Sequence, residues 1–146
     1  MYANDGYREL DPRECLSLLA TVPVGRVVYT RHALPAVLPL NFRLDADGAV
    51  LLRVSATSDL AGAVDGTVVA FEGDMVDAEE QSGWSVVVTG PAAVVRDPAA
   101  HARLVRTGPR SWAPAPQEVF VRIEPELVTG RMLVPGRTMY GLDLPT

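Results

Sequence analysis

Short runs of β-branched and aliphatic residues, each closed by turn chemistry, follow one another along most of this chain and leave few folds open to it. Val24–Thr30 and Ala36–Arg43 read as two strands separated by a turn at His32-Ala33-Leu34-Pro35. Asp45-Ala46-Asp47-Gly48 joins the second of these to Ala49–Val54 as a hairpin, with Gly48 free to take positive φ. Thr67–Glu72 and Trp84–Gly90, the latter continuing through Ala92 to Val95, flank an acidic loop from Gly73 to Gly83. Val119–Ile123 and Glu126–Leu133 close the series.

Helices are few and short in this pattern. Asp11-Pro12-Arg13-Glu14 has an N-cap, a proline at the first helical position and a capping-box glutamate, which predicts a helix to about Ala20. Hydroxyl caps at Ser55-Ala56-Thr57-Ser58 precede a helix over Asp59–Val64, and Asp97-Pro98 precedes another over Ala99–Arg106. Consecutive strands with three short helices predict a mainly β, antiparallel barrel of Greek-key type rather than a βαβ fold. The expected organisation is one domain over residues 1–146, with a barrel core at about 10–133 and an irregular tail at 134–146.

Composition restricts the chemistry. All 13 basic residues are Arg, so a lysine Schiff base, an internal aldimine and a P-loop lysine are excluded. Cys15 is the only cysteine and sits among leucines as a small helix hydrophobe. His32 and His101 are the only histidines and lack zinc-like spacing, so no metal centre is expected. With a formal charge of -5 and scattered arginines, nucleic acid is not an expected partner. No stretch approaches the length of a membrane span and the polar start is no signal peptide, which predicts a cytoplasmic protein without membrane attachment. A chain this poor in reactive side chains needs a cofactor for any redox work.

One junction offers anion chemistry: Arg53 can pair with phosphate, and Ser55, Ser58 and the N–H groups of a helix start can donate to it. The same residues also suit a plain helix cap beside a surface ion pair.

The order of motifs resembles the pyridoxamine 5′-phosphate oxidase-like FMN-binding split barrels, particularly their small actinobacterial members. The landmarks are Val24-Gly25-Arg26-Val27, Pro39-Leu40-Asn41-Phe42, Leu52-Arg53-Val54-Ser55 followed by Ser58, and Ser82–Gly90. The resemblance implies a homodimer with two FMN sites at the subunit interface and an FMN-dependent oxidoreductase activity on a small molecule. It places Pro39, Leu40 and Asn41 against the polar edge of the flavin, and Arg53, Val54, Ser55 and Ser58 at the phosphate. Trp84 then either lies beside the flavin or fills the core. Trp112, following Arg110 and Ser111, resembles an element that reaches a partner's site, and equally suits a loop anchor. Arg131 is a strand arginine either facing the ligand or solvent. No second basic constellation for a substrate phosphate is evident, so oxidation of pyridoxamine phosphate itself is not expected.

Asp59 departs from the resemblance, because many relatives carry Lys or Arg directly after the serine equivalent to Ser58. Opposed unit charges roughly 4 Å apart interact by about 4 kcal/mol at an effective dielectric of 20, and reversing the sign predicts weakened FMN binding. Asp59 also favours the positive end of its own helix. The alternative function is therefore a non-catalytic protein that binds a flavin, a deazaflavin or another ligand.

Overall fold

The computed structural model describes residues 6–133, and the tail expected at 134–146 lies outside them. The elements in chain order are β1 (Tyr7–Glu9), α1 (Pro12–Leu19), β2 (Val24–Arg31), β3 (Leu34–Asn41), β4 (Arg43–Leu44), β5 (Val50–Ser55), α2 (Asp59–Val64), β6 (Thr67–Asp77), β7 (Ser82–Val94), α3 (Pro98–Thr107), β8 (Glu118–Ile123) and β9 (Leu127–Leu133).

All strand pairs are antiparallel and the main path runs β3-β2-β6-β7-β8-β5-β4, with β9 joining β7 to β1. Strands β3 and β4 stand at opposite ends of this path, yet only Phe42 separates them in the chain. The sheet must therefore curl until its two edges meet, and Phe42 packs there against Phe71 with ring centroids 4.8 Å apart. This is the expected antiparallel barrel, a mainly β split barrel. The expected single second strand is two: β3 pairs with β2, and Phe42 turns the chain so that Arg43 and Leu44 pair with β5.

Strand β7 opens the split. Its first half pairs with β9 and its end pairs with β8. The changeover falls at Gly90, where a Cβ would overlap the carbonyl oxygen of Glu124, so only glycine lets the two strands pass. The 73–83 segment is mostly strand rather than loop: β6 runs to Asp77 and β7 starts at Ser82. Asp74 alternates outward while Gly73 faces Leu19 and Val22 inside, so a charged residue fits the pleat.

Inside the barrel lie Val27, Val50, Leu52, Phe71, Val86, Val88, Val121 and Ile123, sealed by Cys15 and Leu19 of α1 and by Leu60 and Val64 of α2. Helix α1 starts as predicted, with Asp11 accepting from the Glu14 N–H at 2.9 Å and Glu14 returning to the Asp11 N–H at 3.2 Å. Helix α3 covers the outer face of the barrel, where Leu51, Leu104 and Phe120 form a second small core. No helix among the described residues is long and apolar enough to cross a membrane.

Candidate functional site

At the seam where β3 approaches β5, a groove of about 500 Å³ is lined by four separate segments. Strand β3 and the start of β2 supply Leu38, Pro39, Leu40, Asn41 and Val24; the β5–α2 junction supplies Arg53, Val54, Ser55, Ser58 and Leu60; the α3–β8 connection supplies Ser111, Trp112 and Ala113. Eight of the ten residues singled out from the sequence thus line one groove, including Trp112, which is 66% exposed at its rim.

Alternation sorts the β5 side chains, and the groove at the strand's end takes residues from both faces. On β5, Val50, Leu52 and Val54 point into the barrel, so Leu51, Arg53 and Ser55 face outward, opposite Arg122, Phe120 and Glu118 of β8. The Arg53 Nε donates to Glu118 Oε1 at 3.2 Å, and its guanidinium lies 5.2 Å from the centre of the Phe120 ring. Glu118 was not visible as a site residue in the sequence, since it lies 65 positions away. Its Oε2 is buried without a hydrogen-bond partner among the described residues. Arg53 is thus a half-buried cation paired with Glu118 at the groove.

The two serines build the α2 start. Ser58 Oγ accepts from the Ala61 N–H at 3.2 Å and donates to the Ser55 carbonyl at 2.7 Å, while Ser55 Oγ sits 3.1 Å from Thr57 Oγ1. Asn41 Nδ2 donates to the Arg110 carbonyl at 2.6 Å, which spends the amide nitrogen on holding the Trp112 loop over the groove.

Two residues stand elsewhere. Asp59 does not line the groove; its carboxylate meets Arg31 Nη2 at 2.7 Å and is 68% exposed. The repulsion expected of it is reduced, because its charge is paired and solvated. Trp84 is 9% exposed in the core cluster and borders a hollow at the far end of the β6–β7 hairpin with Met75 and Met132. Arg131 stacks over the Tyr7 ring at 4.1 Å.

Arg43 Nη1 donates to the Thr107 carbonyl at 3.1 Å, which ties β4 to the end of α3.

Away from these sites, Arg26 bridges Glu72 at 3.2 Å and Asp74 at 3.3 Å on the outer face of β2 and β6. Burial of Glu72, aided by Asp74, raises its carboxyl to about 7 despite Arg26.

Comparison with known proteins agrees with this architecture. The family model described as pyridoxamine 5′-phosphate oxidase matches residues 11–132. The Mycobacterium tuberculosis protein Rv0080 is 46% identical over 136 residues, covering 89% of this chain and 88% of that protein. The structure of an FAD binding protein from Mycobacterium smegmatis superposes with a TM-score of 0.76 at 35% identity, over 86% of this chain and 98% of that one. A conserved protein of unknown function from Corynebacterium diphtheriae gives a TM-score of 0.74 at 35% identity, over 89% and 100%. With a family model spanning the barrel and these relatives of similar length and fold, the chain belongs to the pyridoxamine 5′-phosphate oxidase-like family.

Proposed function

We propose that the groove binds the isoalloxazine ring of a flavin nucleotide such as FMN, and that the protein is a cytoplasmic oxidoreductase acting on a small molecule. The observation that carries this is the meeting of residues 38–41, 53–58 and 111–113 around one apolar groove whose only ionisable lining group is Arg53. A planar ring needs apolar walls with polar groups at its margins. Leu38, Leu40, Val54, Leu60 and Trp112 provide the walls; Asn41, Ser55, Ser58 and Arg53 provide the margins. A bound flavin would supply the hydride or electron transfer.

The protein's own part is position and electrostatics. Trp112 is placed to cover a ring, and the Asn41 bond to Arg110 holds the loop that carries it. Arg53, oriented by Glu118, would hold a phosphate. Desolvating the ring requires a second wall, which we assign to another copy of the chain.

The absence of Asp, Glu, His, Cys and Tyr from the groove lining favours one second reading. No side chain there is an acid or base, which suits a protein that binds a flavin or deazaflavin without turnover.

The visible spectrum of the purified protein, with mass analysis of whatever heat releases, tests the binding. Flavin bands, or their appearance with quenched fluorescence on adding FMN to stripped protein, are the expected result. Protein that neither carries nor takes up FMN, FAD or riboflavin would overturn the reading. Reduction of bound flavin by a nicotinamide nucleotide, followed by reoxidation with a small acceptor, separates the enzyme from the carrier.

A further inference from the structure

We propose that the hollow between the β4–β5 turn and α3, on the outer face of the barrel, is a second binding site for a small molecule carrying one positive and one negative charge on an apolar body. A free α-amino acid with a large apolar side chain has that chemistry. The site shares no lining residue with the ring groove and does not depend on what the groove holds.

The hollow measures about 570 Å³, within the range that small ligands occupy. Ala100, Arg103, Leu104 and Thr107 line it from α3 at helical spacing, so they share the face turned to the sheet. Leu104 packs with Leu51 and Phe120, which fixes the middle of that face, while the small Ala100 leaves the space beside it open. Arg43 Nη1 holds the Thr107 carbonyl at 3.1 Å, and the Thr107 hydroxyl donates to the Arg103 carbonyl at 3.0 Å, so the helix end is tied in place. The opposite wall is fixed as well, because Asp45 Oδ1 accepts from the N–H groups of Asp47 at 2.8 Å and Ala49 at 3.0 Å and so locks the turn. Leu44, Leu51, Val95 and Leu104 give an apolar floor. A hollow built between two fixed walls admits a ligand without the cost of ordering them.

The two walls carry opposite charges. On the turn, Arg122 serves three carboxylates: Nη1 meets Asp45, Nε donates to Glu124 at 2.7 Å, and Nη2 reaches Asp47 only at 3.6 Å. One guanidinium does not neutralise three carboxylates, and Asp47, with its exposed side chain, is the least engaged of them. On α3, the Arg103 guanidinium pairs with no carboxylate among the described residues. Asp47 and Arg103 therefore face the hollow as an acid and a base that do not satisfy each other.

A ligand with a single charge would satisfy one wall and set a like charge against the other. An ammonium group toward Asp47 and a carboxylate toward Arg103 satisfy both, and the carboxylate matches the guanidinium fork. The apolar body then covers the floor and leaves water.

The test is amide NMR titration of the isotope-labelled full-length protein with three probes. These are L-phenylalanine, hydrocinnamate, which lacks the ammonium group, and phenethylamine, which lacks the carboxylate. L-phenylalanine should shift the amides of residues 44–47, 100–107 and 122. It should also bind at least about fivefold more tightly than either analogue, the scale of one exposed charge pair. Asp47→Asn should lower phenylalanine affinity to the level of hydrocinnamate without weakening hydrocinnamate itself. Arg103→Gln should lower it to the level of phenethylamine without weakening phenethylamine. Ala100→Leu fills the hollow and should remove binding of all three, with a dispersed amide spectrum reporting that the barrel is still folded. Equal affinity for the three probes, shifts confined to residues outside the hollow, phenylalanine binding that survives Ala100→Leu, or no binding of any probe at millimolar concentration would overturn the proposal. None of these outcomes touches the flavin reading, which has its own spectrum to answer to.

Discussion

Arg53 has two tasks, and they can be separated. Its Nε satisfies the half-buried Glu118, whose other oxygen already lacks a partner among the described residues, while the same side chain lines the groove. Arg53→Ala should therefore cost about 1–3 kcal/mol of stability by stranding a buried carboxylate. Adding Glu118→Gln should recover most of that in urea denaturation, yet FMN binding should stay weak and riboflavin binding unaffected. Recovery of FMN affinity in the double variant would show that Arg53 serves the fold alone.

Glu72 gives a second residue-scale prediction. Its folded pKa of about 7 lies above its ordinary value, so between roughly pH 4.5 and pH 7 the folded state holds a proton that the unfolded state has lost. By linkage, stability falls as pH rises through that window. Glu72→Gln should leave the melting temperature at pH 4.5 nearly unchanged and raise it at pH 8. After discounting for the quarter-exposed side chain, the gain is about 1 kcal/mol, or roughly 2–4 °C. A gain as large at pH 4.5 as at pH 8 would count against this account.

At the scale of elements, the β2–β3 hairpin turns through His32 and Ala33 with φ of 51° and 64°, both in the left-handed region. Two-residue hairpin turns of this kind favour Asn-Gly because non-glycine residues strain there. Replacing His32-Ala33 by Asn-Gly should stabilise the protein by about 1 kcal/mol without altering the groove, measured by thermal unfolding and FMN titration in parallel. A loss of stability would mean that His32 or Ala33 makes a contact the turn depends on.

Most elements were legible because alternation and capping are local signals. Val50-Leu51-Leu52-Arg53-Val54 already displays a strand, and Asp11 to Glu14 a helix start. What failed was non-local. Strand β1 is only three residues, without alternation long enough to announce it, and exists as a strand only through pairing with β9. The break at Phe42 follows from closure of the sheet, which nothing in Leu40-Asn41-Phe42-Arg43 announces. The groove residues were found through motif order, whereas the pairings of Arg53 with Glu118 and of Asp59 with Arg31 depend on strand register and helix placement.

At the scale of the whole molecule, strand β3 is an edge, bonded on one side only, and an unusually apolar one. Leu34 is 66% exposed, Val37 60% and Leu38 37%, and Val28 on the neighbouring strand extends the surface. Exposed apolar edges invite association, and natural chains cover or charge them. Here the strand bears no charge at all, and it also forms a wall of the ring groove, so a second copy seated on it would bury the edge and close the site in one step. The expected mass in light scattering is accordingly twice the 15.7 kDa of the chain. Val37→Glu places a charge on that surface without touching the groove lining, and it should shift the protein to monomer at micromolar concentration. Flavin affinity should fall in proportion to the dimer lost and recover as protein concentration is raised. A variant that becomes monomeric while holding flavin as tightly as wild type would show that each chain binds its ligand alone, and that the second wall comes from the Trp112 loop.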